Sequence, residues 1–123
     1  VILRGGKLPN YGATEVEAAC ALLRAAGLRE QVMVDVSHAN SSKQHQRQVV
    51  VAQDVAGQVA AGDARIVGLM IESHLEEGRQ DIVPGQPLRP GVSVTDACIS
   101  LAQTAPVLGA LAAAVRARRA HVA

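Results

Sequence analysis

The sequence predicts an α/β fold built on a parallel sheet, and three features predict it. Short β-branched and aliphatic runs alternate with helical apolar stripes about four times along the 123 residues. Glycine and proline punctuate the joins between them. A hydrophobic content of 49% against 19% charge supplies a core and argues against disorder. The length suits roughly one ordinary domain.

Val1-Ile2-Leu3 reads as the tail of a strand, followed by the turn Arg4-Gly5-Gly6-Lys7 and the breaker Pro9-Asn10. Thr14-Glu15-Val16-Glu17 has the form of a capping box. Behind it Val16, Ala19, Cys20 and Leu23 recur at helical spacing up to Gly27, a natural stop. Val32 to Val36 is too short for a helix and fits a buried strand. Asn40-Ser41-Ser42 offers the next helix start, with Val51, Val55 and Val59 on one face and Gly62 at the end. Ile66 to Ile71 is a second buried strand. The segment from about Glu76 to Gly91 holds Gly78, Pro84, Gly85, Pro87 and Pro90 and is expected to be a functional or mobile loop. Val92-Ser93-Val94 is a brief third strand, and Leu108, Leu111, Ala112 and Val115 stripe the last helix, entered by a loop from Ala97. Neither a dinucleotide fingerprint nor a P-loop follows any strand. Four strand–helix units fit half of an eight-fold barrel or an open four-stranded sheet.

Composition excludes several function classes. The formal net charge is +1, so no strong field recruits nucleic acid, a membrane surface or an acidic partner. One Tyr and no Phe or Trp leave no stacking platform for bases, and no nucleic-acid partner is expected. Cys20 and Cys98 form no paired-thiol motif, which predicts a reducing compartment. No signal peptide opens the chain, and Ala97 to Val115 is too polar for a span. A soluble cytoplasmic protein without a membrane partner is expected.

Strand ends are where a parallel α/β protein gathers its chemistry. Those positions carry Arg4, then Asp35-Val36-Ser37-His38, then Glu72-Ser73-His74, then Thr95-Asp96. His38, Glu72 and Asp96 form an N,O,O set suited to Mn, Fe, Co or Zn. Alone, each has a plainer reading: His38 as a hydrogen-bonded structural group, Glu72 as a partner for Arg79, Asp96 as a helix cap. Arg4 could bind phosphate through its guanidinium fork. His45 and His121 are assigned nothing, Cys20 is a core residue, and Arg116, Arg118 and Arg119 complement a helix C-terminus. Joint placement on one rim raises the four rim residues above these readings.

The stretches Arg4 to Tyr11, Ser37 to Lys43, Met70 to Leu75 and Thr95 to Ile99 resemble the class I DAHP synthases (3-deoxy-D-arabino-heptulosonate 7-phosphate synthases). These four motifs stand in order over nearly the whole chain. The resemblance implies a (β/α)8 TIM barrel, with residues 1–123 the C-terminal part of that single domain, about its last four βα units. Val1 is then read as a cut inside a longer domain. The family condenses phosphoenolpyruvate with D-erythrose 4-phosphate, releasing phosphate, at the start of the shikimate pathway. By resemblance, His38, Glu72 and Asp96 are ligands of a divalent cation, His38 is also the catalytic residue, and Arg4 anchors phosphoenolpyruvate at its phosphate. The cation would polarise the aldehyde carbonyl as a Lewis acid. The family's fourth ligand, a cysteine of an early strand, has no counterpart here, and neither Cys20 nor Cys98 substitutes for it. Cys98 is expected beside the metal and open to oxidation. A homo-oligomer is expected at full length.

Val36 stands where the family carries Phe, Pro90 and Leu101 where it carries Tyr and Trp, and Ala102-Gln103 where it carries an acidic pair. The isolated chain is expected to be inactive and to associate. Two other readings compete: a metal-dependent barrel hydrolase, with His74 as a further ligand, and a non-catalytic fragment acting only in folding or association.

Overall fold

The computed structural model describes residues 1–122. Its elements are β1 (Ile2–Leu3), α1 (Ala13–Ala25), β2 (Val32–Asp35), α2 (Arg47–Ala60), β3 (Ile66–Met70), β4 (Ser73–His74), β5 (Ile99–Ser100) and α3 (Leu101–Val122). β1, β2 and β3 form a parallel sheet in chain order, and β4 and β5 a separate parallel pair. The α/β class and parallel pairing are as the alternating pattern predicts.

The sheet has two unlike faces. Leu3, Val34 and Leu69 lie in register and join one core with Val16, Cys20 and Leu23 of α1, Val51, Val55 and Val59 of α2, and Val107 and Ala114 of α3. The opposite row, Ile2, Met33 and Gly68, lies outside that core, and Ile2 is 59% exposed. Between Val32 and Met33 the register slips, so Val32 pairs with Ile66 but Met33 with Gly68. Val67 is the extra residue of this bulge and is 57% exposed. β3 is therefore a half-covered edge strand, not the buried strand that its composition predicts.

Helix α1 ends as expected. Gly27 takes φ +68° and donates to the Arg24 carbonyl, while Leu28 donates to Leu23, a Schellman closure. Its start differs: the N-cap is Gly12 and no side chain caps it, so the Thr14 capping box does not form. A reciprocal box closes instead at α3, where Ser100 N–H donates to Gln103 Oε1 at 2.7 Å and Gln103 N–H to Ser100 Oγ at 3.2 Å. Helix α3 thus starts before Pro106 and carries it inside. Its inward stripe is Thr104, Val107, Leu111, Ala114 and Val115, so Leu108 and Ala112 face outward, contrary to the predicted stripe. Helix α2 begins at Arg47, because Asn40-Ser41-Ser42 is spent in a 3-10 turn over His38–Ser41.

Val92-Ser93-Val94 is not a strand. Ser93 makes one bridge to Arg79, and the strand lies beyond it at Ile99–Ser100. The Glu76–Gly91 loop is pinned, with Gly78 bridged to Cys98 and Gln80 bonded by its side chain to Arg89 and Val92. Arg118 does not serve its own helix end but donates to the carbonyls of Asp63 and Ile66, both at 3.1 Å.

Asp63 also accepts three bonds from Arg65, through its backbone N–H, Nε and Nη2, and these hold its carboxyl below the usual range. The exposed contact of Arg65 with Glu17 adds little. A depressed native value stabilises the fold above the unfolded carboxyl range of about 3.9 and is lost as pH falls through the native value. Urea unfolding at pH 6 and pH 3 should show a smaller acid loss in Asp63→Asn than in the parent chain. An equal loss in both would remove this bridge from the acid response.

Candidate metal centre

The site lies beyond the ends of β2 and β3. Where β2 stops, the chain turns through Ser37 into the His38–Ser41 turn, with His38 at φ +45°. That conformation is costly for a residue with a side chain and persists only where neighbours fix it. Asp35, 2% exposed, accepts Ser37 N–H on Oδ1 at 2.8 Å and lies 2.7 Å from His38 Nδ1 through Oδ2. Ser42 and Lys43 follow at φ +54° and +59°, completing the reversal before α2.

Glu72 stands two residues past β3 and is held from three directions. Buried Gln48 of α2 accepts Glu72 N–H at 2.8 Å and donates back to its carbonyl at 3.1 Å. Ile99 N–H reaches the same carbonyl at 3.0 Å. Ser37 Oγ donates to Glu72 Oε2 at 2.7 Å, leaving Oε1 turned to His38 Nε2 at 3.6 Å.

Asp96 is not at a strand end. It sits on a bend between the bridges at Ser93 and Cys98, with its side chain 71% exposed and Oδ2 3.9 Å from His38 Nε2. Arg79 Nε donates to the neighbouring Thr95 carbonyl at 3.0 Å and pairs with Asp81, not with Glu72. One ligand atom each from His38, Glu72 and Asp96 lies within 4.8 Å of the others, a spacing that could hold one cation.

These residues line a cavity of about 610 Å³ together with Arg4, Lys43, His45 and Arg79. Arg4 is held near by the loop behind it. Gly5 N–H donates to Asn10 Oδ1 at 2.7 Å, and Asn10 N–H to Asn40 Oδ1 at 2.7 Å. Asn40 in turn donates to the carbonyls of Leu3 and Asp35, tying the ends of β1 and β2 together. A Cβ on Gly5 would stand 2.8 Å from Ala39 Cβ at φ +78°, so only glycine lets the loop pass this close.

Of the residues singled out in the sequence, His38, Glu72, Asp96 and Arg4 converge, while His74 does not. It turns its Nδ1 to the Gly91 carbonyl and does not line the cavity. The hydrolase reading counted on His74 as the spare strand-end histidine, and that residue stands outside the cluster. Cys20 is buried in the core, and Cys98 donates to the Asp96 carbonyl at 3.4 Å; neither joins the ligand group. Burial pushes the Cys98 thiol up, which disfavours its thiolate.

His45, assigned nothing, bonds Glu77 at 2.9 Å and thereby holds the Glu77 carboxyl below its usual range. Asp35 and Asn40, named in the sequence without this role, and Gln48, not singled out, are the supporting residues. Asp35 alone left a signal, a charged residue closing an apolar strand just before Ser37-His38.

A family model described as the DAHP synthetase I family matches residues 1–108. The chain is 53% identical over 119 residues to "Phospho-2-dehydro-3-deoxyheptonate aldolase, Phe-sensitive" of Escherichia coli (strain K12), covering 97% of this chain and 34% of that protein. It is 55% identical over 124 residues to the tyrosine-inhibited phospho-2-dehydro-3-deoxyheptonate aldolase of Schizosaccharomyces pombe, covering 97% and 33%. A solved phospho-2-dehydro-3-deoxyheptonate aldolase from Francisella tularensis SCHU S4 superposes with a TM-score of 0.91 at 43% identity, over 96% of this chain and 34% of that one. The chain thus spans about a third of the length of the relatives it matches. A family match over most of the chain, with the parallel sheet and the clustered ligand atoms, makes this chain a member of the DAHP synthetase I family.

Proposed function

We propose that residues 1–123 form the C-terminal part of a (β/α)8 barrel that condenses phosphoenolpyruvate with D-erythrose 4-phosphate and releases phosphate. The observation that carries this is the convergence of His38, Glu72 and Asp96 in one cavity with Arg4. The barrel is supported by the sheet itself. Its strands follow in chain order, helices cover one face, and the other presents Ile2 and Met33 as a barrel interior would.

The donor set fits a divalent cation of the Mn, Fe, Co or Zn class. His38 Nε2 faces two carboxylates, and the far oxygen of Glu72 is already engaged by Ser37, so one oxygen is left for the ion. Such an ion supplies Lewis-acid polarisation of a carbonyl oxygen when bound. The rest is done by side chains. Arg4 binds the phosphoenolpyruvate phosphate and orients its enol carbon toward the aldehyde. His38 is the residue at the reacting centre. Assembly with like chains belongs to the same reading.

The test is to graft residues 1–123 in place of the matching third of the Escherichia coli relative. Release of phosphate that requires both substrates and Mn²⁺, and that stops with EDTA, is the expected result. A folded graft that binds Mn²⁺ without turnover would leave the chain a folding or association module.

A further inference from the structure

We propose that Asp35 positions His38 for the cation by fixing its ring tautomer, and that the same carboxylate sets the place of Glu72. This rests on the metal reading of the His38, Glu72 and Asp96 cluster. Asp35 is 2% exposed at the end of β2, and both of its oxygens are engaged. Oδ1 takes Ser37 N–H at 2.8 Å, and Oδ2 lies 2.7 Å from His38 Nδ1.

A carboxylate only accepts, so the 2.7 Å contact puts the proton of the neutral ring on Nδ1. The lone pair is then on Nε2, which faces Glu72 Oε1 and Asp96 Oδ2. Had the proton been on Nε2, the ring would offer the cation a hydrogen instead of a lone pair. The second oxygen works through Ser37. Holding Ser37 N–H fixes the residue whose Oγ donates to Glu72 Oε2. One buried carboxylate thus aligns ligands from two different strands and secures the left-handed backbone at His38.

Asparagine has the same shape but one acceptor oxygen. In Asp35→Asn, if that oxygen keeps Ser37 N–H, the amide N–H₂ faces His38 Nδ1 and moves the ring proton to Nε2. If the oxygen keeps His38 instead, the amide meets Ser37 N–H donor to donor and the link to Glu72 is lost. Either arrangement spoils the ligand set while leaving volume unchanged.

The experiment is ¹⁵N NMR of the His38 ring at alkaline pH in the graft described above, which serves as the parent chain, with Mn²⁺ titration by calorimetry on the same samples. The parent chain is expected to carry its proton on Nδ1. Asp35→Asn is expected to move it to Nε2, or to keep it on Nδ1 with the Ser37 amide resonance displaced. Mn²⁺ affinity should fall about 10–100-fold. A proton on Nε2 in the parent chain overturns the proposal, as does an Asp35→Asn variant with unchanged tautomer, Ser37 resonance and affinity. If Asp35→Asn does not fold, the parent ring decides alone. If the ring behaves as expected but the parent graft takes up no Mn²⁺, the metal reading fails and the tautomer control by Asp35 stands.

Discussion

Replacing His38 with Ala within the graft is expected to abolish Mn²⁺-dependent turnover. The centre has one nitrogen donor, placed 3.6 Å and 3.9 Å from its two carboxylates. Without it two oxygens remain, one of them on an exposed bend. Lewis-acid stabilisation of developing charge is worth several kcal/mol, or about three orders of magnitude in rate. Steady-state phosphate release and bound-metal analysis should fall together. Glu72→Ala should behave alike, since Gln48 and Ile99 clamp its backbone and the variant's position 72 stays in place without its carboxylate. Asp96→Ala should cost less, because its side chain is 71% exposed and water can occupy the position. Turnover within tenfold of the parent in the His38 or Glu72 variant would remove that residue from the centre.

Asn40→Ala is expected to give the largest loss of stability. Asn40 is fully buried and makes three hydrogen bonds, two donated to strand-end carbonyls and one accepted from Asn10 N–H. Truncation strands two buried carbonyls and a half-buried N–H, a cost of about 2–4 kcal/mol. Leucine fills the volume but cannot restore the bonds, so Asn40→Leu should rescue little. Urea unfolding measures both. Because Asn10 also holds Gly5, the proposed role of Arg4 leads to weaker phosphoenolpyruvate binding before slower chemistry in a folded Asn40 variant of the graft. A loss below about 0.5 kcal/mol would show that water or a neighbour takes over these bonds.

The parts of this molecule that were legible in the sequence are those written in periodicity. The Val16, Cys20, Leu23 and Val51, Val55, Val59 stripes and the Gly27 stop stand where their spacing places them. Terminal positions were less legible, because local motifs compete for them. Thr14 has capping form, but the chain enters the helix at Gly12 before Thr14 can serve. Ser100 and Gln103 cap in earnest, yet they lie in the stretch from Ala97 that reads as a loop entering the last helix. The Asn40-Ser41-Ser42 start failed because Asn40 is drawn inward to bond Leu3 and Asp35, contacts 37 and 5 residues away.

The rim residues were legible because strand ends are few and their chemistry is unlike the rest. The supports were not. Gln48 lies on a helix face between Arg47 and Val49, and nothing local marks it as the clamp on a residue 24 positions ahead. Asp96 was found for an incomplete reason. It belongs to the cluster, but a bend carries it there, fixed through Arg79 and Ser93, where a strand end was expected.

The bulge at Val67 decides the parity of everything that follows it. Ile66 points to the helices, and so do Leu69 and Ile71, an odd step that strict alternation would forbid. The looped-out residue changes the phase of β3 by one position. Continuing that phase sends Glu72 to the side of the sheet that carries Asp35, whose partner across the strands is Met70. With unbroken alternation from Ile66, position 72 would be directed into the helix layer instead. The Glu72 carboxylate reaches the cavity because one valine five residues earlier is left out of the count.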